Sequence, residues 1–138
     1  MSRIVPILIA CLLLVATTGH SWAAASSYDL RSPDGRVEIR IRTTSQLRYD
    51  LVLEGRAILE NCALSLDVEH TKLGTQAEVK DAKPSSHDEM IMPVVRQKFA
   101  KIRDHYNELR LNMEGEYAVV FRAYNEGAAY RFETSFPQ

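Results

Sequence analysis

The chain is written in short alternating runs. Val37, Ile39 and Ile41 alternate with Glu38, Arg40 and Arg42. That period of two predicts a strand with one buried face and one solvated, charged face. Just before it, Ser32-Pro-Asp-Gly35 is turn chemistry, because proline presets φ and glycine accepts a positive φ. With Tyr28 and Leu30 ahead of the turn, residues 28–42 read as a β-hairpin. Leu47, Tyr49, Leu51 and Leu53 repeat the pattern, and Glu54-Gly55 is the next turn. Arg56–Leu59 then predicts a short strand, and Leu64, Leu66 and Val68 predict another.

The middle of the chain lacks this rhythm. His70 to Met90 is polar, with a short strand expected at Glu78–Ala82 and a loop at Lys83–Asp88. Val94 to Ile102 carries Arg96, Lys98 and Lys101 and reads as a solvated strand edge, where lysines discourage unwanted pairing.

Alternation returns in Lys101–Met113, where Leu109, Leu111 and Met113 face one way and Arg110 and Asn112 the other. Glu114-Gly-Glu116 turns into Tyr117–Tyr124, which is apolar on both sides and so predicts a central strand. Asn125-Glu-Gly127 turns again into Ala128, Tyr130 and Phe132. These last three strands predict a meander. No helical apolar period of useful length precedes residue 90, so the fold class is all-β, an antiparallel β-sandwich.

The first residues do not belong to that fold. Met1-Ser-Arg3 is charged, Ile4–Ala16 is apolar, and Thr17–Ala25 is short and small. This order is that of a signal peptide over 1–25, and it predicts an exported, periplasmic or extracellular protein. The apolar run falls short of the ~20 residues a membrane span needs, so no membrane association is expected after cleavage. Leu8-Ile-Ala-Cys11 matches a lipoprotein box, but it lies inside the apolar run, and ordinary cleavage is the better reading.

Seventeen Lys and Arg stand against eighteen Asp and Glu, a net charge of −1. Such a balance excludes the basic footprint of a nucleic-acid binder. Of the two cysteines, Cys11 leaves with the signal. Cys62 then has no partner within the chain and reads as a buried small hydrophobe.

The candidate chemistry centres on Arg103-Asp-His-Tyr-Asn-Glu108. Asp104 and Glu108 could be paired carboxylates for glycosidic acid–base work. Four positions along a strand separate them by about 13 Å, however, beyond the roughly 5–10 Å those mechanisms use. His105 could serve as a base beside either carboxylate, but no nucleophile accompanies it. His87, Asp88 and Glu89 could touch a metal, although adjacent strand residues point to opposite faces. Tyr106, Tyr117, Tyr124 and Tyr130 could stack on sugar rings; at strand spacing the simpler reading is core or cross-strand pairing. The residues therefore nominate no catalytic, cofactor-binding or metal-binding site.

Four segments together resemble a known pattern: Ser32-Pro-Asp-Gly35, Leu47-Arg-Tyr-Asp-Leu-Val52, Arg103-Asp-His-Tyr-Asn-Glu-Leu109, and Val120-Phe-Arg-Ala-Tyr-Asn-Glu-Gly-Ala-Ala-Tyr-Arg-Phe132. They resemble the N-terminal domain of glycoside hydrolase family 97, which includes bacterial α-glucosidases and α-galactosidases. The likeness runs from Tyr28 to Pro137.

It implies that residues 26–138 are part of a galactose-mutarotase-like super-sandwich, packed in the family against a catalytic (β/α)8 barrel. The catalytic carboxylates and most calcium-binding glutamates of the family lie in that barrel, and one more glutamate lies later in the N-terminal domain. None of those positions exists here. The resemblance therefore implies no cofactor in this chain, with calcium expected only in the full-length enzyme. It implies a truncated domain of an α-glycosidase, inactive alone. Two alternatives stay open: a stand-alone exported sandwich that binds α-linked oligosaccharide, and a vestigial fragment without activity. A partial sandwich is also expected to leave sheet edges and an apolar inner face uncovered.

Overall fold

A computed structural model describes residues 26–95 and 98–135. Residues 1–25, over which a signal peptide is expected, lie outside the described residues with Cys11, as do Arg96 and Pro137. Ten strands follow one another: β1 (Ser26–Arg31), β2 (Val37–Thr43), β3 (Leu47–Leu53), β4 (Arg56–Leu64), β5 (Leu66–Val68), β6 (Thr71–Leu73), β7 (Val79–Ile91), β8 (Ile102–Met113), β9 (Tyr117–Tyr124) and β10 (Gly127–Thr134). They form two four-stranded sheets, β1-β2-β3-β4 and β10-β9-β8-β7, plus the small pair β5-β6. Every pairing is antiparallel. β1 and β2 face β8, β9 and β10 across the core, so the architecture is a β-sandwich.

The alternating apolar residues form that core. Ile39, Ile41 and Leu47 of the first sheet meet Leu111, Met113, Val119 and Phe121 of the second, all fully buried. Full burial of one such side chain contributes about 1.5–3 kcal/mol. β9 is buried at six of its eight positions, as expected of a strand flanked by β8 and β10. The meander is as the pattern predicts.

Two turns fasten the layers. Gly35 N donates to Ser32 O at 2.9 Å, Val37 N donates to Ser32 Oγ at 3.0 Å, and Ser32 Oγ donates to Asp34 at 2.7 Å. Asp34 N then donates to Asn125 Oδ1 at 3.1 Å, which ties the first hairpin to the β9–β10 turn. Gly74 makes the tightest approach. Its φ is +81°, and an added Cβ would lie 2.3 Å from Leu64 O. Its carbonyl accepts from Leu47 N at 2.8 Å, and its N–H donates to the Tyr117 hydroxyl at 3.2 Å.

The structure corrects several expectations. Lys83–Asp88 is not a loop; it lies within the thirteen-residue strand β7. β7 is an edge strand that pairs only with β8, so it needs no apolar alternation, and Pro84 can sit there without disturbing a second ladder. Arg56–Leu59 is not a separate strand. β4 runs on to Leu64, absorbing a register shift against β3 with Asn61 at φ +55°. Leu64 thus closes β4, and only Leu66–Val68 remains of the expected next strand. The basic stretch from Val94 contributes only Ile102 to a strand among its described residues. Cys62 is half-buried rather than buried, because β4 is the other sheet's edge. Near that edge Leu53, Ile58 and Leu59 are 41–46 % exposed, and Tyr130 of β10 is 49 % exposed. An apolar margin is thus left open.

Candidate functional site

β8 carries the candidate residues, and its two faces separate them. Asp104, Tyr106 and Glu108 point to the outer face. There the register sets them beside Glu89, beside His87 and Tyr124, and beside Arg122 respectively. Tyr106 is buried on that outer face, a feature alternation alone does not reveal. Its ring stacks on His87 at 4.9 Å and tilts against Tyr124 at 5.1 Å. The Arg122 guanidinium lies 4.2 Å from its centroid. Burial, opposed by that guanidinium, raises the Tyr106 hydroxyl above its ordinary pKa.

Glu108 is committed to a structural pair. Arg122 Nε donates to it at 2.7 Å, with both groups largely shielded from water. Burial acts against the Arg122 charge, but hydrogen bonds to Glu108 and Tyr124 outweigh it and hold the guanidinium above its ordinary value. Asp104 lies 3.6 Å from His87 Nε2, and Glu89 3.5 Å from the same nitrogen. The buried Tyr106 ring stands between Asp104 and Glu108 along the strand, so these two carboxylates do not share a reaction centre.

His105 and Asp88 face the other way, opposite one another in register. Asp88 is held below the usual carboxylate range by bidentate hydrogen bonds from Arg103, at 2.7 and 2.8 Å. His87 and Glu89 therefore share one face and Asp88 the other, which splits the possible ligand set. Among the described residues no group of three His, Cys, Asp or Glu side chains is placed to hold a metal.

The tyrosines divide likewise. Tyr117 is buried with its hydroxyl on Gly74. Tyr130 packs on Tyr49, Phe121 and Phe132 on the inner side, whereas Tyr124 lies on the outer side beside Tyr106. Tyr124 and Tyr130 thus lie on opposite faces of one sheet and do not form one stacking platform.

A groove of about 470 Å³ runs between β1 and β7–β8, past Arg31, Ser86, Asn107 and Glu108. Asn107 joins its two sides. Asn107 Nδ2 donates to Arg31 O at 2.9 Å, and Ser86 Oγ donates to Asn107 Oδ1 at 2.8 Å. The Asp104–Glu108 run thus ties sheet to sheet and strand to strand; it assembles no acid–base pair.

Residues 30–138 match the family model described as Glycosyl-hydrolase 97 N-terminal. A retaining alpha-galactosidase of Bacteroides thetaiotaomicron is 37% identical over 122 residues, covering 88% of this chain and 18% of that enzyme. Among solved structures, a glycoside hydrolase family 97 enzyme from Pseudoalteromonas sp. in complex with panose superposes with a TM-score of 0.69. It is 20% identical over 78% of this chain and 17% of that one. A beta-arabinopyranosidase superposes with a TM-score of 0.72 at 17% identity, over 80% of this chain and 18% of its own. The chain therefore spans about a fifth of the length of the relatives it matches. By its sequence, and with a fold to match, it belongs to glycoside hydrolase family 97 as N-terminal domain sequence.

Proposed function

We propose that this chain is the exported, non-catalytic front part of a family 97 α-glycosidase acting on α-linked galactosides or glucosides, and that it is inactive alone. One observation carries the reading: the match occupies 88% of this chain but only 18% of the alpha-galactosidase. The hydrolytic chemistry then belongs to a (β/α)8 barrel outside these residues. The structural commitments of Glu108 and Asp88 support the same reading, since each is paired with an arginine rather than poised to transfer a proton.

The test has two parts. Intact-mass analysis of the exported fraction should find these peptides in a species far heavier than 15.6 kDa. The purified chain should leave nitrophenyl α-galactoside and α-glucoside intact, while the whole alpha-galactosidase cleaves its own substrate. Turnover by the pure chain would sink the proposal of inactivity. A native species no larger than the chain would sink the proposal of a longer enzyme.

A further inference from the structure

β9 pairs with β8 only from Tyr106 onward. β7 and β8 go on together through Asp88↔His105, Glu89↔Asp104, Met90↔Arg103 and Ile91↔Ile102. These four pairs make a two-stranded arm about 13 Å long. A free ribbon of two strands is marginal in water. Two hydrogen bonds from Arg103 to Asp88 hold this one together, yet its apolar groups stay open. Ile91 and Ile102 are 43 % and 39 % exposed, and Val94 and Phe99 beyond them are 103 % and 61 % exposed. The charge of the arm runs from end to end. Pairing and alternation put Glu89, Ile91, Ile102 and Asp104 on one face. Glu89 and Asp104 make its base acidic, while Asp88 and Arg103 cancel one another. Past the isoleucine pair come Lys98 and Lys101, both exposed, so the tip is basic.

We infer that this face of the arm joins two copies of the chain in a two-fold dimer. A face that reads carboxylates, isoleucines, lysines is complementary to itself. Turned about a two-fold axis through the middle of the arm, it lays each basic tip on the other copy's acidic base. The isoleucine pairs then meet at the centre and leave water together. The same turn carries the exposed tip towards the other copy's His87 and Tyr106, whose rings stack at 4.9 Å just below the base. An apolar patch with charged ends of opposite sign is thus covered by its own equivalent, with no like charges opposed. The contact lies between copies, whatever else each copy carries, and it does not depend on the proposed function.

Sedimentation velocity on the purified chain, over a concentration series, should show a monomer–dimer equilibrium. Lys98→Glu with Lys101→Glu makes both ends of the face acidic. Glu89→Lys with Asp104→Asn makes both ends basic. Each variant alone should dimerise more weakly by about tenfold or more, with the far-UV circular dichroism of the fold unchanged. Mixed, the two should recover a one-to-one heterodimer, because every basic end then meets an acidic one. Should the second variant not fold, Glu89→Lys alone replaces it, since that side chain is 67 % exposed. A chain that stays monomeric at every concentration would overturn the assignment. So would open-ended assemblies, or two folded variants whose mixture stays monomeric. Association that the lysine-to-glutamate variant keeps would also overturn it, and would move the contact to the apolar margin at Leu53 and Leu59. Inactivity towards nitrophenyl glycosides is read separately, so this inference and the proposed function fail on different measurements.

Discussion

Gly74→Ala should be among the most damaging single-methyl additions to this domain. Two costs combine. A φ of +81° is left-handed, and an L-residue there costs about 1–2 kcal/mol. The new Cβ would also lie 2.3 Å from the Leu64 backbone oxygen and 3.2 Å from its carbonyl carbon. Backbone cannot rotate aside as a side chain can, so the β5–β6 excursion must shift. That movement strains the Leu47 N–H bond to Gly74 O and the Gly74 N–H bond to Tyr117, each worth about 1 kcal/mol net. The sum is about 2–4 kcal/mol, a large share of the stability of a small domain.

Gly55→Ala is the control. Its φ is +79°, but nothing lies within 4 Å of an added Cβ. It should cost only the conformational part, about 1–2 kcal/mol. Urea unfolding followed by far-UV circular dichroism compares the two. Tyr117→Phe, alone and combined with Gly74→Ala, measures how much of the loss passes through the hydroxyl contact. A Gly74→Ala variant no less stable than Gly55→Ala would refute the close-approach argument.

Phe121→Ala removes a ring at the centre of the core, 1 % exposed, and should cost about 3–5 kcal/mol by denaturant titration. Arg122→Lys should cost about 1–2 kcal/mol, because lysine can reproduce neither the Nε bond to Glu108 nor the planar stacking on Tyr106; a lysine variant of unchanged stability would show those contacts to be idle. Asp50 is pulled down to about 2 by its Arg42 hydrogen bonds first and also by the Asn61 N–H. A depressed carboxyl contributes stability above its unfolded value of 3.8 and loses it as pH falls towards 2. Asp50→Asn should therefore cost about 1 kcal/mol at neutral pH, where water screens the pair, and flatten the loss of stability between pH 4 and pH 2.

The sandwich was legible where each strand has one wet and one dry face. Val37–Ile41, Leu47–Leu53 and Leu109–Met113 declare themselves by period two, and Tyr117–Tyr124 by being apolar on both sides. β7 stayed hidden for a physical reason. An edge strand buries little, so its hydrogen bonds with β8 decide its shape, and those come from residues about twenty positions away. Cys62 was misplaced because its apolar neighbours in sequence lie on an edge, where apolar residues are not all covered. The family was legible in four short segments. Some of them prove to be fastenings: Asp34 meets Asn125, and Asn107 reaches Arg31.

By itself, then, the sequence determined the strands with a buried face, their antiparallel turns and the family, since these depend on neighbours within a few residues. Only the tertiary structure decided what the polar run of β8 does. Register across three strands set His87, Tyr106, Tyr124 and Arg122 in one stack, engaged Glu108 with an arginine and turned His105 to the other face. It also drew the polar middle of the chain into β7, which pairs with β8 beyond the end of the β8–β9 ladder. Such outcomes depend on pairing at long sequence separation, and local alternation carries no record of which strand lies alongside.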